Sequence, residues 1–209
     1  MPKGKKAGRV RDKWRDKKWV VVYPPATFGS QPIGYIPVSD EEKAIGRVIE
    51  CTLFDIWKTD PQQHTIKLYF QIEKIDGNIA HSRFKGHEYA KEFLRSLIRR
   101  GSSLVSHVND CTTSDGYKFR ISTIAFTQRR VNTSKKQMIR RIITEVLTNE
   151  ISKLTLDQFV QGVVGPKFNA DLHSQTKKII GVRHIAVRKT KLLTKSEPRE
   201  KLQIEAAQQ

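Results

Sequence analysis

Apolar and polar residues alternate along much of the first 130 positions, a pattern that predicts β-strands. The clearest run is residues 64–75, where every second position from Ile66 to Ile72 is apolar and the positions between are polar. Asp76-Gly77 is a hairpin-turn signal, so residues 79–84 are predicted to return as the next strand. Further strands are predicted at residues 19–23, 46–57, 104–111 and 117–127, and a long ordered loop at 24–40.

Residues 88–100 change to the spacing of a helix, and Gly101 stands where a C-cap is expected. Three arginines, Arg95, Arg99 and Arg100, lie at the C-terminal end of this predicted helix. Compensation of the helix dipole explains each of them as well as contact with RNA does.

A longer helix is predicted after residue 133, with Ser134 as its N-cap and Gln137 completing a capping box. Its basic residues lie beside an apolar stripe, so the helix is expected to bury one face and to present a basic one. The stripe consists of Met138, Ile139, Ile142, Ile143, Val146, Leu147 and Ile151.

The remaining elements are two helices and a strand. Helices are predicted at residues 156–163 and, capped by Asn169, at 170–180, and a last strand at 182–193. Strands first, then helices, then one returning strand predict an α+β fold, with a mostly antiparallel sheet curled into a barrel-like core and packed helices.

A single domain is predicted over residues 19–194. Its parts are a barrel-like region at 19–130, a helical region at 131–181 and the last strand at 182–193. A basic disordered tail, 1–18, precedes the domain, and a loose C-terminal tail, 195–209, follows it.

The net charge of +18 and the pI near 10.1 indicate a polyanionic partner, with nucleic acid favoured over a membrane surface. Three basic pairs fall within residues 129–141, and no acidic residue stands between Asp115 and Glu145. Because these pairs lie where a strand ends and a helix begins, cations and the positive helix end are expected at one place, which suits phosphate.

The candidate RNA contacts form three groups. The first combines basic side chains with an anion seat at Ser134 and the following amides: Arg129, Arg130, Ser134, Lys135, Lys136, Arg140 and Arg141. The second is the tail, expected to run along RNA: Lys5, Lys6, Arg9, Arg11, Lys13 and Trp14. For the third, simple solvation explains the charges equally well: Lys85, His87, Arg188, Lys189 and Lys191.

Catalytic and metal-binding patterns are not evident in the sequence. The six histidines are scattered without metal-ligand spacing, and there is no Walker loop, dinucleotide fingerprint or nucleophile elbow. No enzyme activity, metal or cofactor is therefore expected. Cys51 and Cys111 are widely separated, which predicts free thiols in a reducing cytoplasm.

The order of several short motifs resembles one family. They are residues 84–88, 95–101, 113–117, 126–130, 134–141 and 187–193. Over residues 17–194 the chain is similar to ribosomal protein S3Ae, also called eS1, of the archaeal and eukaryotic small subunit, and closer to the archaeal branch. Residues 179–183 depart from the segment that often precedes the family's last strand.

The resemblance implies a structural, rRNA-binding protein of the small-subunit platform, near the messenger exit and the 3′ end of the small-subunit rRNA. Its implied partners are that rRNA, neighbouring platform proteins and messenger RNA near the exit, without a membrane or a small-molecule substrate. Three alternatives remain open at this point: a non-ribosomal RNA-binding or RNA-chaperone module, an enzyme acting on RNA, and a membrane-surface protein.

Overall fold

The computed structural model describes residues 14, 15 and 17–195. The strands are β1 (Lys18–Tyr23), β2 (Gly34–Val38), β3 (Val48–Thr52), β4 (Ile66–Asp76), β5 (Ile79–Tyr89), β6 (Leu104–Thr112), β7 (Tyr117–Thr127) and β8 (Val182–Lys195). The α-helices are α1 (Glu41–Ala44), α2 (Leu53–Trp57), α3 (Lys91–Ser96), α4 (Thr133–Ile151), α5 (Leu156–Val164) and α6 (Lys167–Lys177). Short 3₁₀ turns lie at Ala26–Phe28 and Pro61–Thr65. The α+β class is confirmed.

All eight strands belong to one mixed sheet that branches at β5. β4 pairs with β5 along one edge, while β1 and β8 share the other edge, at residues 79–81 and 86–88 respectively. β1 runs parallel to β5, and the other pairings are antiparallel. The sheet does not close, so the predicted barrel-like core is not confirmed.

The main core lies between one face of this sheet and helices α4, α5 and α6. Phe70, Phe119 and Phe159 are completely buried in it, and the rings of Phe119 and Phe159 are 4.7 Å apart. Burial of rings of this size is a major source of stability in a domain whose sequence is only 37% hydrophobic. The core therefore fixes how the last three helices sit on the sheet.

The predicted helix at 88–100 is much shorter than expected. β5 continues to Tyr89, because residues 86–89 pair with β4 and residues 86–88 also pair with β8. Helix α3 spans only Lys91–Ser96. Leu94 packs with Ile124 and Phe126 of β7 in a separate small cluster. The apolar residues that suggested one helix at 88–100 therefore belong to the end of β5 and to a short helix, which pack against the same small cluster.

Three other predicted segments also differ. The supposed loop at 24–40 contains β2, which pairs with β1 from Lys18↔Val38 to Val22↔Gly34. The supposed strand at 46–57 is β3 followed directly by α2, which Thr52 and Asp55 start with a capping box. Asn169 lies inside α6 rather than capping it, and its side-chain oxygen accepts a hydrogen bond from the Val187 amide.

Candidate nucleic-acid interface

Two loops that carry arginine pairs are joined at one end of the domain. They are the α3–β6 loop, residues 97–103, and the β7–α4 loop, residues 128–132. The Ser103 amide donates to the Thr127 hydroxyl at 2.9 Å, and the Thr127 amide donates to the Ser103 carbonyl at 3.0 Å. The Val131 amide donates to the Ser103 hydroxyl at 3.1 Å. Because Ser103 and Thr127 are buried, these bonds hold the two loops firmly together.

A third loop, residues 178–181 between α6 and β8, reaches the same place. The Gln128 amide donates to the Gly181 carbonyl at 2.9 Å. The Arg183 guanidinium, at the start of β8, donates to the Leu97 carbonyl. Residues distant in sequence therefore meet at this end.

The charge of this end is of one sign. Segments 93–109, 116–144 and 172–195 contain no Asp or Glu. The exposed cations here are not salt-bridged to any carboxylate of the described residues. We call them the cationic end: Arg95, Arg99, Arg100, Arg129, Arg130, Lys135, Lys177 and Lys178. The fold keeps these positive side chains close together although they repel one another, and such a cluster attracts a polyanion.

Helix α4 begins beside the cationic end, but its cap differs from the predicted one. Asn132 is the N-cap residue, and Ser134 is exposed within the first turn, so the predicted capping box at Ser134 is wrong. The free amides of the first turn add positive potential to that of the arginines.

The basic pairs of α4 divide between two sides of the helix. Lys135 and Arg141 are exposed, whereas Lys136 and Arg140 are half-buried. The Arg140 Nε donates to the Ser106 carbonyl of β6 at 3.2 Å, so this side chain also holds the helix against the sheet. Met138, predicted to lie in the apolar stripe, is instead 50% exposed. Lys135 and Arg141 are consequently the cations of α4 best placed for an external ligand.

The third group of candidates lies elsewhere. Lys191 follows Arg183 by eight residues along β8, which places Lys191 roughly 25 Å from Arg183 at strand spacing. Lys85 is the additional residue of a β-bulge, since Tyr69 pairs with Gly86 and Phe70 with Phe84. Lys189 forms a 2.7 Å salt bridge with Glu88. Arg188 is half-buried. This group is a separate and partly neutralised surface.

His87 belongs to the interior and does not form part of any surface. Only 1% of the residue is exposed. Its Nε2 is 3.0 Å from the Val187 carbonyl, so Nε2–H donates there, and Nδ1 accepts from the Thr190 hydroxyl at 2.8 Å. Burial lowers the pKa of His87 to about 4. The sequence-based assignment of His87 to an RNA contact does not fit this position.

Acidification is expected to destabilise the fold through His87. Between the ordinary pKa of 6.5 and the folded value of about 4, the unfolded chain binds a proton that the folded chain does not. Stability is therefore complete above about pH 6.5 and falls by roughly 3 kcal/mol as the pH drops to about 4. Urea unfolding of wild type and His87→Gln across this range measures the effect, with His81→Gln, an exposed histidine, as control. If the free energy of unfolding depends on pH equally in wild type and in His87→Gln, the prediction is contradicted.

The tail candidates lie mostly outside the described residues. Lys5, Lys6, Arg9, Arg11 and Lys13 are among these, whereas Trp14 is described and 61% exposed. The Lys17 ammonium lies 3.7 Å from the centre of the Trp14 ring. One face of the indole is thereby already occupied by a cation.

Several cations of the interface were given no site in the sequence analysis. For Arg99 and Arg100, compensation of a helix dipole explained the charge as well as contact with RNA did. Helix α3 ends at Ser96, however, so both arginines lie in a loop. Lys177 and Lys178 were not singled out. The acid-free segments around these residues were visible in the sequence and are the signal that could have found them.

Other kinds of site have little support in the described part of the chain. Residues 14, 15 and 17–195 contain no group of three His, Cys, Asp or Glu side chains able to hold a metal ion. Both cysteines are buried and unpaired, and burial raises the pKa of the Cys51 thiol to about 12. No helix within the same residues is both long and apolar enough to cross a membrane.

Comparison with known proteins shows the family of this chain. The sequence model of the ribosomal S3Ae family matches residues 5–196. The small ribosomal subunit protein eS1 of Desulfurococcus amylolyticus is 47% identical over 184 residues, covering 88% of this chain and 86% of that protein. The eS1 protein of Archaeoglobus fulgidus is 37% identical over 201 residues, covering 96% of this chain and 94% of that protein. Matched over almost its whole length, this chain belongs to the ribosomal S3Ae family.

Proposed function

We propose that this protein is a structural constituent of the small ribosomal subunit and binds its rRNA through the cationic end. The observation that carries the proposal is the meeting of three acid-free loops, fixed by buried hydrogen bonds around Ser103 and Thr127. Rigid placement matters because phosphate contacts fix the register of a protein on RNA only when the cations themselves are held in place. The names of the relatives support the ribosomal setting.

The proposed contacts are ordered by position. Arg99, Arg100, Arg129, Arg130 and Lys135 contact phosphates directly, and Arg141 extends the contact along α4. The basic tail before residue 14 continues along the RNA, and Lys85, Lys189 and Lys191 form a second, weaker contact. Binding neutralises phosphate charge and recognises the shape of the RNA, without reading a base sequence.

The proposed location is the platform, near the messenger exit and the 3′ end of the small-subunit rRNA. The support for this location is the resemblance of the ordered motifs to the S3Ae family. In that setting the neighbours are rRNA, other platform proteins and messenger RNA leaving the subunit. The role is structural, so no catalytic step is assigned to any residue.

Sedimentation tests the ribosomal role directly. The tagged chain, expressed in an archaeal host, is expected to sediment with small subunits in gradients at about 0.15 M salt. It is also expected to remain with them after a wash at about 0.5 M salt. Salt at this concentration screens simple electrostatic binding. In the assembled particle the chain contacts both protein and RNA, so its release is slow even in this salt. A chain that binds isolated RNA but stays at the top of the gradient is instead a free RNA-binding or RNA-chaperone module.

A further inference from the structure

Charge is distributed unevenly in this chain. Residues 19–80 contain eight acidic and five basic residues, whereas residues 81–195 contain eight acidic and 23 basic ones. The first part comprises β1 without Lys18, strands β2 to β4, helices α1 and α2, and the first two residues of β5. A region of net negative charge in a protein of net charge +18 is poorly suited to rest on rRNA.

This acid-rich region exposes large apolar side chains on one sheet face. Trp19 is 60% exposed, Tyr35 66% and Ile79 42%. The strand register places them together, because Trp19 pairs with Pro37, and Val21 pairs with both Tyr35 and Ile79. We call Trp19, Val21, Tyr35, Pro37 and Ile79 the aromatic patch. An exposed patch of this kind on a monomer commonly marks an interaction site.

The aromatic patch does not serve the protein's own core. The alternate residues of the same strands, Val20, Val22 and Ala80, are buried on the opposite face against Val38 and Ile72. Trp and Tyr are costly to leave in water, and they are the residues most enriched at the energetic centres of protein interfaces. The exposed face is thus available to a partner.

Charged groups beside the aromatic patch indicate the kind of partner. Asp40, Glu41 and Glu42 lie just after the end of β2, and Asp76 is the last residue of β4, where it pairs with Ile79. Lys43 and Lys74 form salt bridges with Asp40 and Asp76, and His81 lies 3.7 Å from Asp76. Lys18 pairs with Val38 and therefore points to the opposite face from Trp19. Cations also lie near the aromatic patch, since Arg47 donates to the Pro37 carbonyl at 3.2 Å and Lys17 stands two positions before Trp19. Glu41 and Glu42 are exposed and form no salt bridge with the described residues, so their carboxylates are available to a basic partner.

We propose that the aromatic patch docks a basic protein of the small subunit, with apolar side chains of that partner on Trp19 and Tyr35 and its Lys or Arg residues on the flanking carboxylates. The proposal rests on the proposed ribosomal role and adds the surface and the chemistry of the partner. Single-stranded RNA stacked on these rings is disfavoured, because the carboxylates of Glu41 and Glu42 would repel its phosphates. A second copy of this chain would bring the same carboxylates against these, which opposes self-association.

Photo-cross-linking in assembled subunits tests the proposal. A benzophenone amino acid is placed at position 35 in one chain and at position 135 in another, and subunits containing each are irradiated. We expect position 135 to cross-link to rRNA, and position 35 to cross-link to a protein whose attached peptide is rich in Lys and Arg. Cross-linking of position 35 to rRNA, to another copy of this chain or to an acidic peptide overturns the proposal, and so does the absence of a cross-link.

The two positions keep the failures of the two proposals apart. If position 135 reaches rRNA and position 35 reaches no basic protein, the rRNA-binding role stands and the docking inference fails. If neither chain enters subunits, the ribosomal role itself fails.

A double variant measures the energetic importance of the patch. Trp19→Ser with Tyr35→Ser is expected to weaken binding to the cross-linked protein at least roughly 30-fold, as loss of an interface centre does. Affinity for rRNA should stay within about twofold of wild type, since both side chains are exposed and lie outside the cationic end. Equal partner affinity in wild type and variant overturns the assignment of these two residues.

Discussion

Replacing Arg99, Arg129, Arg130 and Lys135 by Gln is expected to lower the affinity for small-subunit rRNA roughly a thousandfold at about 0.1 M salt. Each cation that neutralises a phosphate releases counterions, and at this salt concentration each lost contact costs nearly tenfold. Arg99 reaches the same surface as the other three because Ser103 and Thr127 join its loop to theirs. The four side chains are exposed, so the fold should not change.

The salt dependence separates direct contact from general attraction. The slope of log affinity against log salt should flatten by about 3 for the quadruple variant, measured by filter binding between about 0.05 and 0.3 M salt. The matched control is Lys43, Lys58, Lys74 and Lys153 to Gln, four exposed lysines outside the cationic end with the same loss of charge. Equal slopes for the two variants would show that net charge alone, and not this surface, governs binding.

Elements determined by local pattern were predictable from the sequence. The alternating residues of β4 and the Asp76-Gly77 turn gave the hairpin, and the apolar stripe of α4 includes Ile139, Ile143 and Leu147, all completely buried. These signals lie within one turn or one strand of each other. They need no knowledge of distant partners.

Elements determined by distant pairing were not predictable in the same way. Residues 86–89 form a strand because they pair with residues 66–69 of β4, and residues 86–88 also pair with β8, a hundred positions later. These pairings override the local helical spacing. The open branching of the sheet follows from β1 and β8 sharing one edge of β5, and no periodicity records that arrangement. The predicted barrel was a general expectation for several strands rather than a property of these residues.

The interface shows the same division. Arg129, Arg130 and Lys135 are adjacent in sequence and were identified from their own segment. Arg99, Arg100 and Lys178 join them only through backbone hydrogen bonds between separate loops. Conversely, His87 had the sequence context of a basic turn but lies inside the sheet, because its strand continues into a buried pairing.

The pairing of β5 with β8 joins the acid-rich strands to the strands that lead to the cationic end, and Gly86 permits it. A Cβ atom at position 86 would lie 2.1 Å from the Thr190 carbonyl oxygen and 3.3 Å from the Lys191 Cα. Both atoms belong to backbone, so no side-chain rotation relieves the overlap. Glycine at this position lets two strands approach closely, while the neighbouring His87 bonds to Thr190 across the same seam.

Gly86→Ala is therefore expected to destabilise the protein by about 4 kcal/mol, near the upper end for a single substitution. The melting temperature should fall by roughly 8–16 °C for a chain of this size. Gly34→Ala is the matched control, since Gly34 also lies in a strand and nothing stands within 4 Å of its added Cβ. Calorimetry of the three proteins measures the difference. Equal melting temperatures for Gly86→Ala and Gly34→Ala would mean that the two strands can separate without loss, and that the seam does not hold the two parts of the sheet together.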